Sequence, residues 1–349
     1  MKVAAMKTVR ILLGGAGNAA LPMLDLMTSE KDRIARDLGI EFRLIGVADS
    51  KGAAVCAEGL SSAEVAAAKR RDGTVSAMEG YGRPGMTALD MIASFDADIY
   101  VDGLPPFLPD GEPGASNIRA ALRKGMHVVT ANKAPLALYW GELFSLAAEK
   151  GLQLRYGTAA SSGLPTLEMG DMLGRCGELL EFGGIFNASC MYVIDAMKHG
   201  QTFDEAVQGA REGGFLEPNP AMDIDGWDSA MKTVIQANTY WQKACTLADI
   251  EVKGIRELTL EDIQAADARG ETWCMVGRAV LLENGGLKLT AGPECLPKEH
   301  PLAKARWCDK ALHVRTRTQG EQVHYCLDAS ASSTPGNMYL DMLLIARDI

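Results

Sequence analysis

VRILLGGAGNAALPMLDLM, residues 9–27, reads as strand, glycine turn and helix in immediate succession. Val9 to Leu13 form a short apolar strand, and Leu21 to Met27 take up helical spacing after the turn. Gly15, Gly17 and Ala20 occupy the G-x-G-x-x-(G/A) places of a dinucleotide fingerprint, with Asn18 and Ala19 opening the helix between them. Each place has a physical demand. Gly15 makes the tight turn, Gly17 lets backbone approach a pyrophosphate, and Ala20 lets helix and strand close on each other. The pyrophosphate would sit on the positive end of the helix dipole. Glycine turns also start helices that bind nothing, so the weight rests on the placement directly after a first strand.

Outward from this stretch the strand-helix alternation continues. FRLIGVAD, residues 42–49, is a second strand whose last residue, Asp49, is the kind that accepts a ribose hydroxyl. Asp49 by itself favours NAD by repelling a 2′-phosphate, whereas the adjacent Ser50 and Lys51 can receive one, and the choice between NAD and NADP stays open. Residues 52–83 are Ala-rich and charged, and read as helices and a loop carried outside the sheet. A strand at about 98–102 runs into a loop holding Leu104, Pro105, Pro106, Pro109 and Pro113, which bars regular structure. Loops of this kind, at the carboxyl ends of parallel strands, are where ligands bind. SNIRAALRKG, residues 116–125, is a helix with Ser116 as N-cap and Gly125 as its stop. HVVTANKAPLA follows as strand and exit loop, placing Lys133 near the nicotinamide end of a dinucleotide, and LQLRY at 152–156 is one more strand.

Composition limits what such a chain does. With 349 residues it exceeds one usual core and suggests two domains. The formal net charge of -10 argues against nucleic acid or an anionic membrane as partner. No leader-like pattern and no membrane-length apolar run is present, so a cytoplasmic location is expected. The 8 cysteines include no C-x-x-C pair and no histidine at ligand spacing, so reduced thiols and no metal are expected.

The second half centres on GGFLEPNPAMDIDGWDSAMKTVIQANTY, residues 213–240. Pro218 and Pro220 exclude regular helix, which leaves Glu217, Asp223 and Asp225 on a loop. Asp223 or Asp225 then caps a helix from about Trp227 whose Ala230, Val234, Ile235 and Ala237 face a core. Asp228 and Lys232, four apart with the acid first, share a face of that helix. On an exposed helix this pair is a weak ion pair. Near a cofactor, Lys133 and Lys232 are candidates to take up a hydroxyl proton, and Glu217, Asp223 and Asp228 are natural partners for a substrate ammonium. Further on, strand-like segments near 251–257, 274–282, 287–291, 311–318 and 321–327 read as a mixed sheet with helices on one face, broad enough for a subunit interface. TAASSGLPTL reads as a loop leading into a helix, GGIFNASCMYVIDAMKHG as helix, and the chain end as a helix from about Asn337.

In order, GGAGNAA, VADSKGA, GEPGASNIRAALRKGMHVVTANKAPLA, GLPTL, FLEPNPAMDIDGWDSAMK and LPKEHPLAKA resemble homoserine dehydrogenase in its short form, over essentially the whole chain. The resemblance implies an α/β protein. Residues 1–156 would be a Rossmann-type dinucleotide-binding domain, 157–330 an α+β catalytic and dimerisation domain, and 331–349 a helix returning to the first. It also implies NAD(P)-dependent interconversion of L-homoserine and L-aspartate 4-semialdehyde by a homodimer, with Lys133 and Lys232 catalytic, Glu217, Asp223, Asp228 and Ser189 on the substrate, and Leu104 beside the cofactor. Departures cluster around those places. Leu104, Pro105 and Pro106 replace Thr-Pro-Thr, Ala188 and Ser189 replace Gly-Thr, and Gly157 replaces a cation-holding glutamate, with Ser161 and Ser162 for glycines behind it. ASASSTPG, with Ser330, stands for a glycine-rich turn. The alternatives are a dehydrogenase for another hydroxy amino acid or hydroxy acid, and a nucleotide-binding protein without catalysis.

Overall fold

Strand β1 (Lys7–Gly14) buries Val9, Ile11 and Leu13 as well as the intervening Leu12, which is what a central strand covered on both faces requires. The structure, a computed structural model, describes residues 6–216, 220–328 and 333–349. It divides into two compact units, Met1–Ser162 with Ala331–Ile349, and Gly163–Ser330.

In the first unit β1 is followed by α1 (Ala20–Ser29), α2 (Lys31–Leu38), β2 (Ile40–Asp49), β3 (Gly52–Leu60), α3 (Ser62–Asp72), β4 (Gly82–Pro84), α4 (Ala88–Ser94), β5 (Ile99–Asp102), α5 (Gly114–Lys124), β6 (His127–Thr130), α6 (Lys133–Glu149), β7 (Leu154–Arg155) and α7 (Gly157–Ser161). The sheet order is β4-β3-β2-β1-β5-β6-β7, and the strands from β2 to β7 across it are parallel. From β1 the chain goes first to β2 on one side and later to β5 on the other, so the order reverses between β1 and β5. In parallel sheets such a reversal of strand order is where a ligand crevice forms, at the carboxyl ends of the strands. The helix Ser333–Asp348 joins this unit, and its Met338, Met342 and Ile345 are buried in one cluster with Val9, Ile11, Met23 and Leu24. Lys7 Nζ donates to the Ala346 carbonyl at 3.1 Å.

Four readings of this half need correction. Residues 52–60 and 82–84 are not carried outside the sheet; β3 and β4 extend it antiparallel beyond β2. A tight turn at Ser50 and Lys51 pairs Asp49 with Gly52, and the small Ala53 and Ala54 are fully buried in the hairpin. Helix α5 starts at Gly114 rather than after Ser116, and Ser116 N donates to Glu112 Oε2 at 3.1 Å, so the cap comes from outside the helix. Lys133 is the first residue of α6, with Asn132 as N-cap, rather than part of a free loop. Residues 157–161 are the helix α7, not a loop.

The second unit comprises α8 (Thr166–Met169), β8 (Leu179–Ile185), α9 (Ala188–Lys198), α10 (Phe203–Glu212), α11 (Ala221–Ile224), α12 (Trp227–Trp241), β9 (Ile250–Val252), α13 (Leu260–Ala268), β10 (Glu271–Leu281), β11 (Leu287–Pro297), β12 (Lys310–Thr316) and β13 (Glu321–Cys326). The sheet order is β13-β12-β8-β10-β11-β9, mixed because β9 pairs parallel with β11 and the other neighbours are antiparallel. Strand β8 lies at the middle of this sheet, and its last three residues, Gly183 to Ile185, were expected to open a helix. Its pairing to β10 and β12 overrides a sequence whose Gly183 and Gly184 carry little strand signal. Helix α12 lies against the sheet, with Ala230, Val234, Ala237 and Tyr240 packed on Phe182, Ala279, Leu289, Leu312 and Val314. It is buried almost all round and therefore cannot be a surface helix.

Candidate functional site

Gly15 has φ of 91° at the end of β1, and its N–H donates to Ala48 O at 2.9 Å. A Cβ there would come within 2.9 Å of the Gly103 backbone on the other side of the crevice, so the residue must be glycine for two reasons at once. A Cβ on Gly17 would meet nothing within 4 Å. The turn therefore keeps open space above Gly17, and the helix behind it starts at Ala20, with Ala19 as an N-cap that makes no side-chain hydrogen bond and with no acid in its first turn. These residues, with the exposed Asn18, fit a dinucleotide pyrophosphate. Ala20 is fully buried and would lie 3.3 Å from a Cβ on Gly103, the close helix packing that its small side chain allows.

The opposite wall of this crevice is organised by a residue that the sequence reading passed over. Asp102, the last residue of β5, is fully buried. Its Oδ1 accepts Leu104 N at 3.2 Å, and its Oδ2 accepts Thr130 Oγ1 at 3.2 Å. Thr130 Oγ1 in turn accepts Asn132 N at 3.0 Å, and Asn132 caps α6 through Ala134 N at 3.3 Å. One carboxyl group thus ties the loop of Leu104 to the turn of Lys133. Burial raises its pKa to about 7, against the lowering contributed by the Leu104 N–H, Thr130 and Asn132. An unfolded chain releases this proton near pH 4. The folded protein therefore holds an extra proton between about pH 4 and pH 7, and its stability falls as pH rises through that window. Asp102→Asn, an isostere of the protonated acid, should flatten this dependence. Thermal unfolding between about pH 5 and pH 8 checks it; parallel Tm slopes for variant and wild type would exclude the effect.

At the end of β2, Asp49 is almost fully buried and accepts four hydrogen bonds, from Lys51 N, Val75 N, Thr74 Oγ1 and Lys69 Nζ. Burial pushes its carboxyl up, but these donors, Lys69 foremost, outweigh burial and hold it below the ordinary carboxylate value. Ser50 and Lys51 are exposed on the neighbouring turn.

In the second unit the acids and lysine of the central stretch converge. Lys232 Nζ donates to Asp228 Oδ2 at 2.6 Å and to the Phe186 carbonyl at 2.7 Å. The two side chains are only 14% and 12% exposed, which excludes the surface ion pair. Asn187 Nδ2 donates to Asp223 Oδ1 at 2.6 Å and to Asp228 Oδ2 at 2.9 Å. Its Oδ1 accepts Cys190 N at 2.8 Å as the N-cap of α9. Asn187 was not among the candidates from sequence, although an asparagine just before a helical run carries an N-cap signal. Neither Asp223 nor Asp225 caps α12. Asp223 lies within the one-turn α11, Asp225 is held by Arg256, and Gly226 with φ of 88° begins the helix. Ser189 Oγ donates to Phe215 O at 2.7 Å. Glu217 and Ser330 lie outside the described residues.

Cys190 is buried beside these acids, and burial first, then Asp223 and Asp228, pushes its thiol well above the ordinary value. It is a structural thiol, not a nucleophile. Among the described residues Cys308, Asp309 and Asp328 have donor atoms within 4.8 Å of one another, but Arg306 Nη2 already bonds both carboxylates, at 2.9 and 2.8 Å. In the first unit Gly157 N donates to the buried Asp341 at 2.9 Å, and Arg155 Nε donates to the same group at 2.8 Å. A Cβ at residue 157 would come within 3.2 Å of that carboxylate, so the glutamate expected from the resemblance has its space taken by an aspartate from the C-terminal helix.

The chain is similar to known proteins over most of its length. The sequence profile of the family Homoserine dehydrogenase matches residues 165–343. The chain is 31% identical to a homoserine dehydrogenase of Methanocaldococcus jannaschii, over 84% of this chain and 85% of that protein. It is 31% identical to an NAD(+)-dependent homoserine dehydrogenase of Pseudomonas canavaninivorans, over 90% of each. The solved structure of a homoserine dehydrogenase from Thermoplasma acidophilum superposes with a TM-score of 0.83 at 26% identity, covering 97% of this chain and 99% of that one.

Proposed function

We propose, from the premise that this chain belongs to the homoserine dehydrogenase family of NAD(P)-dependent oxidoreductases, that it interconverts L-homoserine and L-aspartate 4-semialdehyde. The observation that carries this reading is the buried cluster of Lys232, Asp228, Asn187 and Asp223 in the second unit. Burying such a cluster costs desolvation, and buried groups of ionisable side chains gather at functional sites. A bound NAD(P) supplies the hydride acceptor. The rest falls to the chain's own groups. Gly15, Gly17, Asn18 and Ala19 offer backbone to the pyrophosphate, and Leu104 borders the nicotinamide end. Lys133, at the start of α6, stands at the carboxyl end of the sheet to fix cofactor and substrate. Asp223 and Asp228, with Glu217, hold the substrate ammonium, and Lys232 Nζ, once its ammonium has released a proton to solvent and it stands as the neutral amine, takes the hydroxyl proton as the carbonyl forms. Asn187 keeps both aspartates in one orientation. Ser189 bonds a substrate carboxylate once released from Phe215 O.

Homodimerisation through the sheet of the second unit and a cytoplasmic location complete the reading. Among the described residues no helix is long and apolar enough to cross a membrane. Purified protein with L-homoserine and either oxidised cofactor should produce reduced nicotinamide, and light scattering should give twice the chain mass. A second reading, oxidation of a related hydroxy amino acid, draws support from Gly157 and its filled space beside Asp341. If homoserine stays inert while another hydroxy amino acid reduces the cofactor, the second reading replaces the first. If none does, both fail.

A further inference from the structure

The end of β2 is built differently from an NAD ribose site. A carboxylate offers about four lone-pair positions, and Asp49 has four donors on them: Lys51 N at 2.8 Å, Thr74 Oγ1 at 3.0 Å, Lys69 Nζ at 2.8 Å and Val75 N at 2.9 Å. The pair is shielded, with Asp49 4% and Lys69 18% exposed. To accept a ribose diol, Asp49 must give up one of these donors and leave it unsatisfied in a buried place. Lys69 Nζ also donates to the Gly73 carbonyl at 3.0 Å, so it is anchored from two sides.

Charge points the same way. Lys69 cancels the charge of Asp49, and on the same helix Arg70 is paired with Asp25 and Arg71 with Asp72. Lys51 is exposed on the tight turn and makes no ion pair among the described residues, and Ser50 beside it is exposed as well. Its Nζ lies 4.0 Å from the Cβ position of Gly73, at the rim of the Asp49 cluster. The position that usually rejects a 2′-phosphate is therefore neutralised, and an ammonium and a hydroxyl stand next to it.

We propose that this chain is specific for the 2′-phosphorylated cofactor, with Lys51 and Ser50 as the phosphate-binding residues and Lys69 as the residue that withholds Asp49 from the ribose. The proposal rests on the dinucleotide reading of the first unit given above. It separates this chain from the relative named for its NAD(+) dependence, to which it is 31% identical.

The test is binding, not turnover: titration of the full-length protein with NADPH and with NADH, read by tryptophan quenching and energy transfer to the nicotinamide. NADPH should bind at least about tenfold more tightly than NADH, the worth of one charge-assisted contact. Lys51→Ala should weaken NADPH by about tenfold and leave NADH within about twofold. Lys69→Ala, which frees one acceptor position on Asp49 and restores its uncompensated charge, should tighten NADH and weaken NADPH. If Lys69→Ala does not fold, the Lys51→Ala titration and its salt dependence decide, because loss of a phosphate contact must flatten the NADPH salt response. NADH binding as well as or better than NADPH to the wild type overturns the specificity while leaving the dinucleotide site intact. Failure to bind either cofactor removes the site and the specificity together.

Discussion

Replacement of Lys232 by methionine is expected to lower kcat for homoserine oxidation by roughly 10²–10⁴, the range that a positioned proton-transfer group contributes, while cofactor affinity stays unchanged. Methionine keeps the buried aliphatic stem and removes only the ammonium that bonds Asp228 Oδ2 and the Phe186 carbonyl. That loss has a structural side, because Asp228 is left nearly buried and charged without its cation, although Asn187 still donates to it. Removing one partner of a buried pair destabilises by about 3–5 kcal/mol, so a fall in activity alone does not prove chemistry. The double variant Asp228→Asn with Lys232→Met separates the two. It has no orphaned charge and should regain Tm over the single variant, yet it should remain inactive. Steady-state kinetics, NADPH titration and thermal unfolding of the three proteins check this. Activity of the double variant near the wild-type value would take Lys232 out of the reaction and leave it a structural cation.

The reason this cluster could be anticipated at all is local. Asp228 and Lys232 are separated by one helical turn, and i,i+4 spacing is visible in any sequence. Gly15 and Gly17 were legible for the same reason, since the strand, turn and helix they join are consecutive. What sequence does not carry is the identity of partners that arrive from elsewhere. Lys69 reaches Asp49 across 20 positions, and Asp341 reaches Gly157 across 184. Nothing in the residues around Asp49 announces that its lone pairs are filled, so the ribose role was the natural expectation. Asn187 was missed because it bonds acids 36 and 41 positions away, although its capping role was readable in place.

The missed strands have a related cause. Strands β3 and β8 contain Gly52, Gly59, Gly183 and Gly184, and residues such as Ala53, Ala54 and Glu181 that have little intrinsic strand preference. Their strand state comes from neighbours: β3 is closed onto β2 by the Asp49 to Gly52 turn, and β8 sits between β10 and β12. In β8 the small residues are needed. A Cβ at Gly183 would meet Arg278 at 3.2 Å, and Arg278 bonds Glu181 and Glu294 across the sheet. Glu181 in turn stands opposite Arg315. A charged network, not apolar alternation, fixes the register there, and such a pattern looks like loop or helix surface when read along the chain.

The two glycines of the first turn should both weaken dinucleotide binding when replaced by alanine, but only one replacement should destabilise the ligand-free protein. Gly15→Ala puts a Cβ on a residue with φ of 91° and within 2.9 Å of the Gly103 backbone. The left-handed conformation costs about 1–2 kcal/mol for a residue with a side chain, and forcing two backbone segments apart costs about 1–3 kcal/mol more. The first unit should therefore lose stability without any ligand present, and dinucleotide binding should fall because the crevice between β1 and β5 is pried out of shape. Gly17→Ala meets nothing within 4 Å. The ligand-free protein should melt within about 0.5 kcal/mol of wild type, as open surface changes do. Its added methyl nevertheless stands where a pyrophosphate must come close to backbone, so both NADPH and NADH should weaken by tenfold or more, about 1.4 kcal/mol for each factor of ten. Paired melting and titration curves of the two variants test the turn directly. A Gly17→Ala protein that binds dinucleotide as tightly as wild type would mean that the space above residue 17 is not where the pyrophosphate lies, and the assignment of the first unit would have to move elsewhere along the carboxyl edge of its sheet.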